Sequence, residues 1–156
     1  MYLSMVVLLM GALPVGSILI VYFLSDGYAD PAYLIAKWFV FWSVGVRLLL
    51  AGLRQVANPR FTADTIFGLK DEGALVVVRE LGFANLSIGL LGALSLARPD
   101  WIVPSAIVGG LYYGLAGILH LRKGERNFIE NVAMTSDLLL FAVLAIDLAV
   151  LALRSA

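Results

Sequence analysis

The chain contains no cysteine and only one histidine, His120, in 156 residues. The first absence excludes disulfides, thiolate zinc sites, iron–sulfur clusters and cysteine nucleophiles, and leaves the redox compartment unread. The second excludes a bis-histidine haem held within one chain. Charge is scarce too: 14% of residues are charged, eleven basic against eleven acidic, for a formal net charge of zero. That balance removes the main electrostatic argument for a nucleic-acid partner. The phosphate-cradling GxxxxGK[ST] loop, the GxSxG nucleophile turn and HExxH are all missing. Ser43, Ser87 and Ser105 have no base nearby in sequence, and a lone membrane serine more often bonds its own helix backbone. No HxxxH or ExxH spacing supports a metal, so none is expected; no resident cofactor is required, although a bound lipid or quinone fits the reading below.

What is present is apolar. Hydrophobic residues make up 62% of the chain and mean hydropathy is +0.96, against an apolar share of about 45–50% in soluble domains. The sequence predicts a single all-α integral membrane domain, a polytopic helix bundle with transmembrane helices over about 3–24, 31–57, 74–97, 101–121 and 132–153. The first run lacks a basic leader and a small-residue cleavage site and is too long for a signal-peptide core, so it reads as a retained helix. Pro14 predicts a kink there, since neighbours can re-satisfy the freed carbonyl.

Punctuation separates the spans. Ser25-Asp26-Gly27 is turn chemistry. Asp30-Pro31 offers an N-cap carboxylate with proline at the first helical position, and Asn58-Pro59 ends the second helix. Phe61, Ile66, Phe67 and Leu69 then alternate with Arg60, Thr62, Asp64 and Lys70 over a stretch too short and polar to span. It reads as an amphipathic segment in the headgroup region, with a re-entrant lid over a site as the sharper alternative. Arg98-Pro99-Asp100 reads as a turn with Asp100 as N-cap, and Asn131 as the N-cap of the fifth helix. Gly82 and Gly89 stand a heptad apart, and Gly110 and Gly114 form a GxxxG pair. The pair suits packing within one bundle; a homo-oligomer through Gly110 and Gly114, or a partner membrane subunit, is the other use.

Five crossings place the N-terminus and the connections around 58–73 and 122–131 on one side. That side holds Arg54, Arg60, Lys70, Arg122, Lys123 and Arg126, against Arg98 and Arg154 with Lys37 nearby on the other. The positive-inside rule then puts the N-terminus in the cytoplasm and the C-terminus outside the cell membrane.

Ionic groups inside the spans carry the functional signal. An Asp, Lys or Arg at a helix centre costs roughly 2.5–3.5 kcal/mol on insertion scales, so Arg79, Glu80 and Asn85 are expected to face protein or trapped water. At 1.5 Å per residue, Arg47, Arg79 and Glu80 lie roughly 8–12 Å from the cytoplasmic helix ends, Asp137 about 8 Å and His120 about 2 Å, with Asn85 nearer the midplane. These depths allow an inner-half cluster drawn from four helices, while Lys37 and Asp147 belong to the outer half and can pair separately. Arg47 or Arg79 with Glu80 and Asp137 would make an ion-pair network that fixes helix register. The same residues would also line a polar pocket for a small ligand or quinone-like headgroup. A proton or ion path through Glu80, His120 and Asp137 is a third use.

The runs Lys37-Trp38-Phe39-Val40-Phe41-Trp42-Ser43-Val44-Gly45-Val46-Arg47, Glu80-Leu81-Gly82-Phe83-Ala84-Asn85 with Gly89 and Gly92, and Gly114-Leu115-Ala116-Gly117-Ile118-Leu119-His120 followed by Asn127 and Asn131 resemble a prokaryotic family of small multi-pass membrane proteins. More distantly they are similar to DoxX-like bundles. The resemblance covers most of residues 36–137 and implies a helical membrane fold with no established activity. DoxX-like relatives imply a link to quinone-dependent oxidation, by analogy of fold. Arg47, Glu80, Asn85 and His120 match the family pattern. The leading expectation is a non-enzymatic bundle whose polar inner-half pocket binds a small amphipathic ligand or a partner subunit. A quinone-linked oxidoreductase subunit and a proton- or ion-coupled transporter are the alternatives.

Overall fold

In the computed structural model, which describes residues 2–155, every regular element is a helix. Five are long and apolar enough to cross a membrane: α1 (Tyr2–Leu24), α2 (Pro31–Ala57), α3 (Glu72–Leu94), α4 (Pro99–Arg122) and α5 (Phe128–Ser155). The protein is an all-α, multi-pass membrane bundle. Even α3, with 23 residues, is about 34 Å long, enough for a hydrocarbon core of about 30 Å.

Local chemistry sets the helix ends. Asp30 accepts from the Ala32 N–H at 3.1 Å with Pro31 behind it, as expected. Arg154 of α5 reaches the same carboxylate at 2.7 Å, joining the end of the chain to the start of α2 and holding the Asp30 carboxyl below the usual carboxylate range. The start of α5 differs from expectation. Asn127, not Asn131, is the cap: its Oδ1 accepts from the Glu130 N–H while Glu130 accepts from the Asn127 N–H, a reciprocal capping box one turn earlier. Asp100 does not cap α4 either, because Arg98 engages its carboxylate and a short 3₁₀ turn, Pro99–Trp101, leads in.

Two wide π turns interrupt the first two helices, at Leu8–Ala12 and Val40–Val46. The first precedes Pro14, which has no N–H to continue the ladder. Hydroxyls from neighbouring helices satisfy carbonyls in both turns. Ser43 Oγ donates to Leu9 O at 3.0 Å, and Tyr113 Oη donates to Ser43 O at 2.7 Å.

Glycine sets how closely the helices approach. A Cβ on Gly45 would lie 2.6 Å from Ala93 N, and one on Gly89 would lie 2.6 Å from Leu49 N, so the α2 and α3 backbones touch. Across the bundle, Gly110 lies against Leu144, Gly114 against Phe141 and Gly117 against Leu138. The GxxxG pair is therefore buried in the α4–α5 contact within one chain. Val40, Val44, Leu48, Tyr113, Leu140 and Leu144 form the core where α2, α4 and α5 meet, and α1 covers it with Val6 and Met10.

The α2–α3 connection contains a seven-residue π-helical segment, Phe61–Phe67, closed by Gly68 in the left-handed region (φ 69°). Asn127 Nδ2 donates to Thr65 O at 3.1 Å, tying this segment to the α4–α5 loop. Both lie at the basic end of the bundle, while α3 and α4 meet through a tight turn at the other end and otherwise pack little against each other.

Backbone contact at Gly89 leaves no room for a methyl group, whereas Gly16 has nothing within 4 Å of its Cβ position. Gly89→Ala is expected to destabilise the bundle by about 1–3 kcal/mol, the usual range for overpacking, and Gly16→Ala to change little. Thermal unfolding of both variants in detergent checks this, and equal melting temperatures would contradict the packing.

Candidate functional site

Arg47 follows the π turn of α2 and points into the bundle, only 7% exposed. Its Nη2 donates to Asp137 Oδ1 at 3.0 Å and to Ser136 Oγ at 3.2 Å, both on α5. Asp137 is equally buried. Ser136 Oγ in turn donates a hydrogen bond to Ala133 O, and the Tyr113 ring lies 4.9 Å from the guanidinium carbon. Three helices thus converge on one cation. The pair is neutral as a unit, but Arg47 Nη1 is buried with no hydrogen-bond partner among the described residues.

A second polar pair lies across the same space. Asn85 of α3 donates through Nδ2 to Gln55 Oε1 of α2 at 2.7 Å, and both side chains are buried. Among the described residues Asn85 Oδ1 has no hydrogen-bond partner. Both pairs line a cavity of about 410 Å³ whose remaining wall is mostly apolar. Phe61, Ile66 and Phe67 close it at the basic end, and His120, half-buried, stacks on Phe67 with ring centroids 6.5 Å apart. The connecting segment therefore sits over the cavity as well as at the bundle's end. Leu115 and Leu119 line the cavity too, yet are 61% and 72% exposed, so the cavity reaches the lipid-facing surface along α4.

Of the residues expected to form the polar interior, Arg47, Asn85, His120 and Asp137 meet around this cavity. Arg79 and Glu80 do not: both are exposed on α3. The reason is angular. The inward face of α3 is Val78, Gly82, Asn85, Gly89 and Gly92, at the three- and four-residue spacing of one helix side, and Arg79 and Glu80 fall outside it. Toward the end of the bundle away from the basic loops, Asp147 is buried but makes no ion pair among the described residues, while Lys37 lies 5.2 Å from the ring of Trp38. The separate Lys37–Asp147 pair is thus not formed.

Sequence reasoning missed Gln55, Ser136 and Tyr113 as site residues. Gln55 carried a usable signal: Arg47, Ala51 and Gln55 follow one another at four-residue steps and all line the cavity. Ser136 and Tyr113 carried none, since small hydroxyls and aromatic rings are ordinary in membrane helices.

Removing one member of a buried ion pair leaves the other uncompensated, at a cost of about 3–5 kcal/mol, while replacing both with apolar residues is often close to neutral. Asp137→Leu or Arg47→Met alone is therefore expected to lower stability sharply, and the double variant to recover most of the loss. Unfolding midpoints for the three variants measure the coupling; additive effects would show that the pair does not lock α2 to α5.

No curated protein and no solved structure matches the chain. A family profile does, across residues 4–155. With nearly its whole length matched, the chain belongs to DUF6790, a family of unknown function.

Proposed function

We propose that this bundle binds a small amphipathic molecule drawn sideways from the bilayer, with its polar head between Arg47 and Asn85 and its tail toward Leu115 and Leu119. The observation that carries this reading is the pair of unmatched atoms. A buried donor, Arg47 Nη1, and a buried acceptor, Asn85 Oδ1, belong to residues lining one apolar cavity. Buried polar groups normally find partners, and leaving one unmet costs about 1–3 kcal/mol. A ligand head that offers both an acceptor and a donor meets both needs. The volume of about 410 Å³ falls in the ordinary range for small-molecule sites, about 300–1,000 Å³, and such sites are mostly apolar with a few placed polar groups.

A quinol head on an isoprenoid-like tail has this chemistry, since a hydroxyl both donates and accepts, and a lipid with a compact hydroxyl head shares it. The DoxX-like resemblance favours the quinone class by analogy. The excess of cations at the end capped by Phe61–Phe67 supports an orientation with that end in the cytoplasm and the C-terminus outside the cell membrane.

The test uses the purified chain in nanodiscs with a short-chain benzoquinol kept reduced, read by native mass spectrometry. Wild type is expected to show a saturable mass increment. Asn85→Leu, which keeps the volume and removes the acceptor, should weaken it at least tenfold, about 1.4 kcal/mol. Equal binding by both chains would remove Asn85 from the site, and no binding by a folded wild type would eliminate the quinol class.

A further inference from the structure

Arg79 and Glu80 lie seven and eight residues into α3, about 10–12 Å along its axis, and both are exposed. Among the described residues neither has an ion-pair or hydrogen-bond partner. Membrane ions in such places pair or face water, and the chain itself supplies neither to this pair. The surrounding surface is also ordered. Val76, Glu80, Phe83, Ser87, Leu90 and Leu94 follow one another at spacings of four, three, four, three and four, and all six are exposed. Val76, Phe83 and Leu90 are each more than half exposed. This is the seam of a left-handed coiled coil, yet no helix of the chain covers it.

We infer that the outward face of α3 is the interface with a second copy of this chain, closed by two reciprocal Arg79–Glu80 ion pairs. The geometry follows from helical rise and turn. Arg79 and Glu80 are about 100° apart around α3, and Val76, Phe83 and Leu90 all point within about 30° of the line midway between them. In a membrane both copies share one orientation, so a two-fold axis along the normal sets two α3 helices side by side and parallel. Such an axis places the left flank of one helix opposite the right flank of the other. Arg79 of each copy then faces Glu80 of its mate, and the two groups differ by only about 1.5 Å in depth. An isologous interface needs self-complementary charge, and a neighbouring cation and anion astride an apolar stripe provide it. Ser87 lies in the same seam one heptad from Glu80 and is small enough for close approach.

The seam leaves the cavity alone. Leu81 and Asn85 line the cavity and sit about 100° and 140° around α3 from Glu80, on the side away from Arg79. Dimerisation and ligand binding therefore fail or succeed separately.

Because the natural chain has no cysteine, single cysteines report position without background. Phe83→Cys and Ser87→Cys, oxidised with copper phenanthroline in native membranes, are expected to give a covalent dimer, and Leu111→Cys, equally lipid-facing on α4, is not. Glu80→Arg sets like charges against each other and should reduce the Ser87→Cys crosslink at least tenfold at a fixed protein-to-lipid ratio. Adding Arg79→Glu restores the complementarity with the signs exchanged and should restore the crosslink. Absence of a crosslink at both 83 and 87, equal crosslinking at 111, or a Glu80→Arg chain as dimeric as its parent overturns the proposal.

Discussion

Hydrocarbon cannot solvate a guanidinium, and the rest of the bundle is arranged around the one it buries. Arg47 stays inside because α5 brings Asp137 and Ser136 to its Nη2 and α4 lays the face of Tyr113 beside it. Leucine side chains slide past one another with little change in energy, so apolar packing alone specifies helix register weakly. A charge-assisted hydrogen bond is directional and tolerates no such slip. The ion pair fixes where α5 stands along α2, while the glycines fix how close the helices come.

Those glycines act where a backbone must touch a backbone. Gly45, Gly52, Gly82, Gly89 and Gly92 bring α2 and α3 together, and Gly110, Gly114 and Gly117 admit the side chains of α5. Two tightly closed seams leave α3 and α4 joined at their shared turn and parted toward the basic end. The cavity is the space left by that divergence, with Phe61–Phe67 as its floor. The π turns belong to the same economy of backbone groups. Their displaced carbonyls, at Leu9 and Ser43, are met by hydroxyls from the adjoining helix, so α1, α2 and α4 are stitched by hydrogen bonds that an unbroken helix would have kept to itself.

Five spans, their connections and the cap at Asp30 were legible from hydropathy and turn chemistry, because lipid makes length and polarity nearly sufficient. The depth of the polar residues was legible as well: Arg47, Asn85, His120 and Asp137 were grouped by rise along the axis and do surround one cavity. Direction around the axis was not. Arg79 and Glu80 have the right depth and the wrong face, since the face of α3 turned to α2 is marked by small residues and not by charged ones. The Asn127 cap was hidden for a different reason. Asn127 and Asn131 are both good caps in isolation, and only the reciprocal bond to Glu130 distinguishes them. Gln55 was readable at its four-residue steps from Arg47 but was outweighed by the charged residues around it.

The placement of Arg79 and Glu80 follows from the glycine face. Rotating α3 to bring Arg79 inward would carry Gly82 and Gly89 away from α2 and drive Phe83 or Leu86 into positions where no Cβ fits. The backbone contact at Gly89, already as near as atoms allow, forbids that rotation. One close packing seam thus decides two things: Asn85 is presented to the interior, and a cation and an anion are presented to whatever lies outside. The interior group has its cavity within the chain. Among the described residues the exterior pair has no partner, so its neutralisation falls to a neighbour, and the complementary pair at the same depth is what a second copy would offer.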